Sequence, residues 1–521
     1  MSRRPPEQAD RVLPSWEDPV LRPASTAAGG PWGRHGLVGR ASFWTPLRVC
    51  LALTVAVLAL SWLQKAPCKN GAWTASRQYT HLCYSDVIPL YYSEELDKGK
   101  VPYAEHRVEY PVLTGWFMYG AHTLSGWYDS LARHGLAPKV NPVESYFDAT
   151  ALLLALCAAT VAWAVYHLSG RRPWDAAMVG LSPVLFVHAY TNWDLFAVAL
   201  STGGLLAWQR RRPVLAGLLV GLGAGAKFYP VLFLLPLLLL CLRARRMYEF
   251  WQALLGAAVA WLAVNLPIYL LYREAWLTFF RNNRNRLADP DSLWHVLQFI
   301  RGSPLDRAVP SGGAPNVLNT AVAVGVLVVC LGVGALALGA RRRPRLPQLL
   351  FLLVAGFLLT NKVWSPQYSL WLVPLAVLAR PSWRALLAWQ AVEAFLWFPR
   401  LYWYLGVGNK GLDEHWFLLA VVARDVAVLW LAALVVRDIL QPEYDVVRSA
   451  GVDDPAGGVL DGAPDGSDVG RPEEPAGLDP AAARPAGGSA TAGEVLGWPP
   501  VDRPGGPGEG RMASEADRNT T

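Results

Sequence analysis

Apolar runs near or above the length needed to span a bilayer recur from residue 46 to residue 437 of this 521-residue chain. That recurrence constrains the fold more than any other feature. Inside hydrocarbon every backbone N–H and C=O must be satisfied within the structure, so a chain patterned this way crosses as helices. A cleavable leader would give one short run at the start, and no cleavage is expected. Hydrophobic residues make up 53% of the chain and charged residues 17%, and the mean hydropathy is +0.24. All three depart from the soluble average. The reading is an all-α polytopic membrane protein with twelve spans, beginning near residues 46, 150, 174, 192, 214, 229, 250, 317, 347, 367, 385 and 416.

A net charge of +7 and a pI near 9.1 would suit a nucleic-acid partner, but the placement of the arginines argues otherwise. Arg171 with Arg172, Arg210 to Arg212, Arg243 with Arg245 and Arg246, and Arg341 to Arg343 with Arg345 occupy alternate short connections. Short loops rich in arginine stay on the cytoplasmic side. Both termini are then cytoplasmic, and residues 64–149 form a large outer loop. Parity requires the apolar stretch 110–128 to lie along the outer interface instead of crossing, a place that suits Trp116, Tyr119, Trp127 and Tyr128. Residues 1–44 and 441–521 are rich in Pro and Gly and too poor in apolar residues for a core, so both are expected to be disordered cytoplasmic segments flanking a membrane domain of residues 45–440.

All eight lysines fall on the outer side in this topology. Most sit in long loops, where the charge rule is weak. Lys227 and Lys362 instead occupy tight turns between spans, where a charge near hydrocarbon costs about 2.5–3.5 kcal/mol even on lenient scales. Snorkelling accounts for such a lysine, and so does an anion held at that depth. Gly221, Gly223 and Gly225 precede Lys227 and permit either close helix packing or a ligand's approach. The outer segment FRNNRNRLADPD adds Arg281, Arg284 and Arg286, whose guanidinium forks suit phosphate oxygens. Its Asp289 and Asp291 suit a divalent cation or a turn about Pro290. A phosphate borne on a lipid would arrive at this depth, so Lys227, Lys362, Arg284 and Arg286 are candidate donor-phosphate ligands.

Among the carboxylates of the first outer loop, Asp86 stands alone between Tyr84 and Val87-Ile88-Pro89. It is a candidate base, with a capping role as the alternative. Asp194 either caps the following helix or joins the site with Asn192. His295 is a ligand, a base or simply structural. Cys50, Cys157, Cys241 and Cys330 lie in apolar spans and read as inert. Cys68 and Cys83, fifteen positions apart, would be allowed a disulfide if their segment lies outside the cytoplasm.

These motifs resemble glycosyltransferase family 87, membrane mannosyltransferases of actinobacterial type with the GT-C fold. The residues carrying the resemblance are Asp86, Tyr110-Pro111, Asn192-Trp193-Asp194, Gly223 to Lys227 with Pro230, and Asn361-Lys362 through Ser365-Pro366-Gln367-Tyr368. It implies a GT-C domain over about residues 46–437 and a polyprenyl-phosphate sugar donor, often polyprenyl-phosphate mannose. It also implies inverting transfer to a glycolipid or glycan acceptor outside the plasma membrane, with Asp86 as general base. Glu109, Tyr110, Asn192, Asp194, Asn361, Gln367 and Tyr368 are the candidates for the sugar and acceptor side. No cofactor or divalent metal is expected, because the leaving group is already a phosphate. A lipid or sugar transporter is the rival reading, disfavoured by the lack of inverted repeats and of charges near the midplane.

Overall fold

The structure is a computed structural model. It describes residues 44–463, except 70–72, 74, 75 and 307–312, together with the single residue 27. The expectations for residues 1–43 and 464–521 lie outside the described residues. Among the described residues the protein is helical and contains no strand. The principal helices are α1 (Pro46–Lys69), α2 (Val87–Ser93), α3 (Val112–Arg133), α4 (Pro142–Leu168), α5 (Pro183–His188), α6 (Asp194–Gln209), α7 (Pro213–Ala226), α8 (Leu234–Arg243), α9 (Met247–Leu271), α10 (Arg273–Asn285), α11 (Leu293–Arg301), α12 (Asn316–Gly339), α13 (Leu346–Thr360), α14 (Ser369–Ala379), α15 (Trp383–Leu405) and α16 (Glu414–Leu440).

Helical structure stands at each of the twelve apolar segments read from the sequence. Among the described residues five helices, α1, α4, α9, α12 and α16, are long and apolar enough to cross a membrane. Several others are shortened by proline, which removes an N–H and pushes the preceding residue out of the helical region. Ser182 is extended before Pro183, and its hydroxyl accepts from the Leu185 N–H to cap α5. Pro230 and Pro366 each force a 3₁₀ turn, at Tyr229–Phe233 before α8 and at Pro366–Tyr368 before α14. Both turns border the candidate site.

Glycine allows a close contact between two helices of the bundle. A methyl group at Gly217 or Gly221 would collide with the carbonyl oxygens of Ala253 and Ala257, and one at Gly256 with that of Val214. Helices α7 and α9 therefore touch backbone to backbone, as small residues allow in membrane helices. This assigns Gly221 to helix packing. Gly225 meets only ordinary contacts, the nearest at 3.5 Å.

The helix ends separate by chemistry. The arginine-rich connections all lie at one end, and the turns carrying Asp86, Lys227 and Lys362 lie at the other. The described part of the stretch expected to lose structure after residue 440, residues 441–463, is folded against the arginine end. The Trp208 indole donates to the Gly457 carbonyl at 2.8 Å, and the Leu346 N–H donates to the Asp454 carboxylate at 2.8 Å. Arg345, 1% exposed, pairs with Asp445 at 2.8 Å and donates to the Leu378 and Ala379 carbonyls. Composition missed this because the few polar groups of 441–463 find partners among arginines far away in the chain.

Two other expectations are corrected here. Lys65 and Lys69 belong to the last turns of α1 and are buried: Lys65 donates to the Tyr84 carbonyl at 2.8 Å, and Lys69 pairs with Asp148 at 2.5 Å. Breaking a buried, fully bonded pair leaves an uncompensated charge at a cost of about 3–5 kcal/mol. Asp445→Ala should therefore lower the melting temperature of the detergent-solubilised protein clearly, whereas exposed Arg384→Ala should leave it near wild type. Equal melting temperatures would show that the C-terminal strap does not stabilise the bundle.

Candidate active site

A cavity of about 470 Å³ opens at the end of the bundle opposite the arginine-rich loops. Asp86 lies on its wall at the start of α2, and its position is fixed from two directions. Its backbone N–H donates to the Thr191 carbonyl at 2.8 Å, while the neighbouring Ser85 hydroxyl donates to the Tyr190 carbonyl at 2.7 Å. Its Oδ2 accepts from Asn192 Nδ2 at 2.8 Å and from Gln367 Nε2 at 3.2 Å. The second amide hydrogen of Asn192 goes to the Tyr110 hydroxyl at 2.8 Å. Three segments far apart in sequence thus converge on one carboxylate. The Asp86 side chain makes no cap bond to α2, which removes the capping alternative.

The disulfide Cys68–Cys83 is present. It ties the end of α1 to the strand of chain leading into Tyr84 and Asp86. The Tyr84 hydroxyl is pushed well above its ordinary pKa by burial and then by the adjacent Asp86 carboxylate. It stays protonated and beside Asp86 at neutral pH.

Lys227 enters the cavity wall from the end of α7, and it is 7% exposed. Its ammonium stands 3.5 Å from Asp194 Oδ1 and lies over the rings of Tyr110 at 4.7 Å and Tyr368 at 5.1 Å. Asp194 also accepts from the Trp371 indole at 2.8 Å. The buried cation therefore has an anion behind it and two aromatic faces beside it, each of which offsets desolvation. Trp371 stacks between Tyr368 and Tyr229, with centroids 4.2 Å away on both sides, which fixes the proline-induced turns around Lys227.

Of the residues proposed from sequence, Asp86, Glu109, Tyr110, Lys227, Arg286, Asn361, Gln367 and Tyr368 line the cavity. Asn192 and Asp194 are both fully buried behind its wall, so each acts on the site through another side chain and neither caps a helix. Arg284 is an exposed residue near the end of α10 and does not line the cavity. Lys362 also lies outside the lining, for a reason developed below.

Asp289 and Asp291 are engaged by guanidinium groups. Asp289 accepts from Arg286 at 2.8 Å, Asp291 accepts from Arg400 at 2.8 Å, and the Asp291 carbonyl accepts from Arg424. The Asp-Pro-Asp stretch is thus an arginine-bound turn. Among the described residues no cluster of three or more His, Cys, Asp or Glu side chains is placed to hold a metal. His295 lies 2.8 Å from Glu414 and is not among the lining residues. A structural partner is therefore what the geometry gives it.

Sequence reasoning missed Arg400. It lines the cavity from α15 beside Trp397, Tyr404 and Tyr84, with its guanidinium 4.8 Å from the Tyr404 ring centroid. Its signal was available: a lone arginine within the apolar, aromatic segment FLWFPRLYWYL, a placement costly enough to point to a site.

The cavity thus joins Asp86, a carboxylate oriented by two amides, with three cations that are each paired with a carboxylate, and Glu109 and Asp289 line it as well. That set can deprotonate a hydroxyl and hold an anionic group nearby. Comparison with known families agrees. Residues 136–366 match the model of glycosyltransferase family 87, which bears out the family read from the sequence. The class that follows is a membrane glycosyltransferase. No curated protein matches the chain. The family match covers the segments of Asn192, Lys227, Arg286 and Lys362, and Asp86 precedes it.

Because Asn192 orients both Asp86 and Tyr110, Asn192→Ala should lower the sugar-transfer rate by about 10–100-fold, the worth of one hydrogen bond to a charged group. The donor KM should change little. A turnover equal to wild type, measured on folded protein, would show that Asp86 needs no such support.

Proposed function

We propose that this protein transfers a sugar, mannose in the first instance, from a polyprenyl-phosphate donor to a hydroxyl of a glycolipid or glycan acceptor, with inversion at the anomeric carbon. The architecture is a GT-C bundle of twelve crossings in the plasma membrane, with the cavity outside and both termini in the cytoplasm. The single observation that carries the reading is the convergence of Asp86 and Lys227 on one cavity, reached from the first outer loop and from a helix hairpin over a hundred residues later.

Asp86 accepts the proton of the acceptor hydroxyl as its oxygen attacks the anomeric carbon. The bond from that carbon to the phosphate oxygen breaks, and its electron pair leaves with the phosphate. Lys227 and Arg286 face the growing charge there, which is where electrostatic stabilisation acts most strongly. Tyr110, Tyr368 and Glu109 border the same space and are suited to the sugar, and Trp397, Tyr84 and Arg400 also line it and are suited to the acceptor. Leaving-group stabilisation comes from side chains, so the scheme does not call on a metal. The outer placement is supported by the segregation of arginine-rich loops from the cavity and by a disulfide on the cavity side.

A lipid-borne donor is supported by what adjoins Lys227. Phe228 lines the active cavity, a narrow aromatic cleft with Trp261, Trp276, Phe279 and Phe280, and an apolar groove of about 230 Å³ between α7, α8 and α9. The three spaces share that one side chain. A phosphate at Lys227 would leave its prenyl chain running past Phe228 into the groove.

Asp86→Asn keeps the shape and removes the base, so transfer from a polyprenyl-phosphate sugar should fall by about 10²–10⁴-fold. Full activity in that variant would end the assignment. Lys227→Met should weaken direct donor binding by about tenfold or more, as expected for a charge-assisted contact; unchanged affinity would remove Lys227 from the phosphate site. Ala258→Trp fills the groove from its exposed side. It should raise the KM for a long-chain polyprenyl donor while sparing a short-chain one, and equal effects on both would place the lipid elsewhere.

A further inference from the structure

The segment Asn361-Lys362 looks from sequence like a phosphate ligand, but the Lys362 ammonium is already fully engaged. It donates to the Arg284 carbonyl at 3.1 Å, the Arg286 carbonyl at 2.7 Å and the Asn319 side-chain oxygen at 2.6 Å. An ammonium has three donors, and all three are accounted for. Two of the acceptors sit where α10 ends. The last carbonyls of a helix lack intrahelical partners and carry its negative partial charge, so a buried cation is well matched to them.

The same two stretches are joined at two further points. The Asp289 N–H donates to the Lys362 carbonyl at 2.8 Å and the Trp294 indole donates to the Thr360 carbonyl at 2.8 Å, while Asn319, from α12, donates through Nδ2 to the Arg284 carbonyl at 2.9 Å. Between these anchors lies Arg286, whose extended backbone (φ −62°, ψ 132°) stops α10 and whose side chain reaches the cavity wall. Burial and then the nearby Arg286 charge lower the Lys362 ammonium to about 8, consistent with two cations held close together.

We infer that Lys362 is a positioning residue. It clamps the C-terminal end of α10 to the turn after α13, and so sets the Arg286 guanidinium at the cavity wall without touching the donor. The inference rests on the reading above that Arg286 meets the donor phosphate. It departs from that reading in giving Lys362 no contact of its own. It also explains why a lysine is placed at this depth: its charge is offset by backbone carbonyls instead of by a ligand.

The test is a double-mutant cycle on the full-length protein in detergent or nanodiscs, with a polyprenyl-phosphate mannose donor. Lys362→Met should lower kcat/KM for the donor by about tenfold, through a higher KM and a lower kcat together, because Arg286 meets the phosphate both before and during its departure. In an Arg286→Met background the same substitution should add almost nothing, because residues acting through one another are not additive. The same fold-change in both backgrounds would overturn the inference and return Lys362 to direct contact. If Lys362→Met does not fold, Asn319→Ala removes one of the three acceptors and carries the same cycle.

A second readout is independent of substrate. A cysteine introduced as Asn283→Cys, in the last turn of α10, should react with a maleimide severalfold faster when Lys362 is replaced by Met. An unchanged labelling rate would overturn the clamp. If Arg286→Met alone leaves the donor KM unchanged, the phosphate reading falls, and the labelling rate alone decides whether the clamp exists.

Discussion

The Lys227 ammonium, buried at the end of α7 with the Asp194 carboxylate 3.5 Å away, is the interaction on which the site depends. Desolvating either charge alone would cost several kcal/mol, and the two together are tolerable only with good geometry and added hydrogen bonds. The Trp371 indole on Asp194 and the rings of Tyr110 and Tyr368 around the ammonium supply that geometry. Because these groups come from the segment between α2 and α3, α6, and the turns at the end of α7 and the start of α14, holding the cation in place also brings those segments together. Asp86 is set by the same convergence, through Asn192 two positions before Asp194.

The pattern repeats around the cavity. Arg286 is paired with Asp289 and Arg400 with Asp291, so each cation at the cavity has its own carboxylate partner. An arrangement of this kind holds cationic side chains in fixed positions before a ligand arrives, and stabilisation of developing charge is strongest when little reorganisation is needed. It also explains how a membrane bundle tolerates several charges at one end. At the opposite end the buried Arg345–Asp445 pair does a purely structural job, fastening the chain after α16 to the helix ends.

Much of the fold was legible because its cause is local. Hydrophobic runs set the helices, arginine clusters set which ends lie together, and Pro183, Pro230 and Pro366 set the breaks. The base candidate was legible too: a solitary aspartate among tyrosines and apolar residues has few reasons to be there. What failed were statements about partners. Lys362 and Lys227 look alike in sequence, each a lysine in a turn between apolar runs, yet one meets a carboxylate at the cavity and the other meets the carbonyl ends of a helix. Residues 441–463 look unstructured by composition, yet their aspartates and carbonyls meet arginines about a hundred residues or more away.

The sequence by itself determined that this chain is a helical membrane protein with its arginine-rich loops at one end of the helices and Asp86 at the other, because hydrophobicity and charge act on each segment alone. The tertiary structure decided which charge answers which. That Lys227 backs onto Asp194, that Arg400 borders the cavity, and that Lys362 binds α10 and not the open space all depend on distances between segments. Those distances are fixed by helix packing such as the glycine contact of α7 with α9, and Coulomb and hydrogen-bond energies fall off too steeply for any one-dimensional pattern to report them.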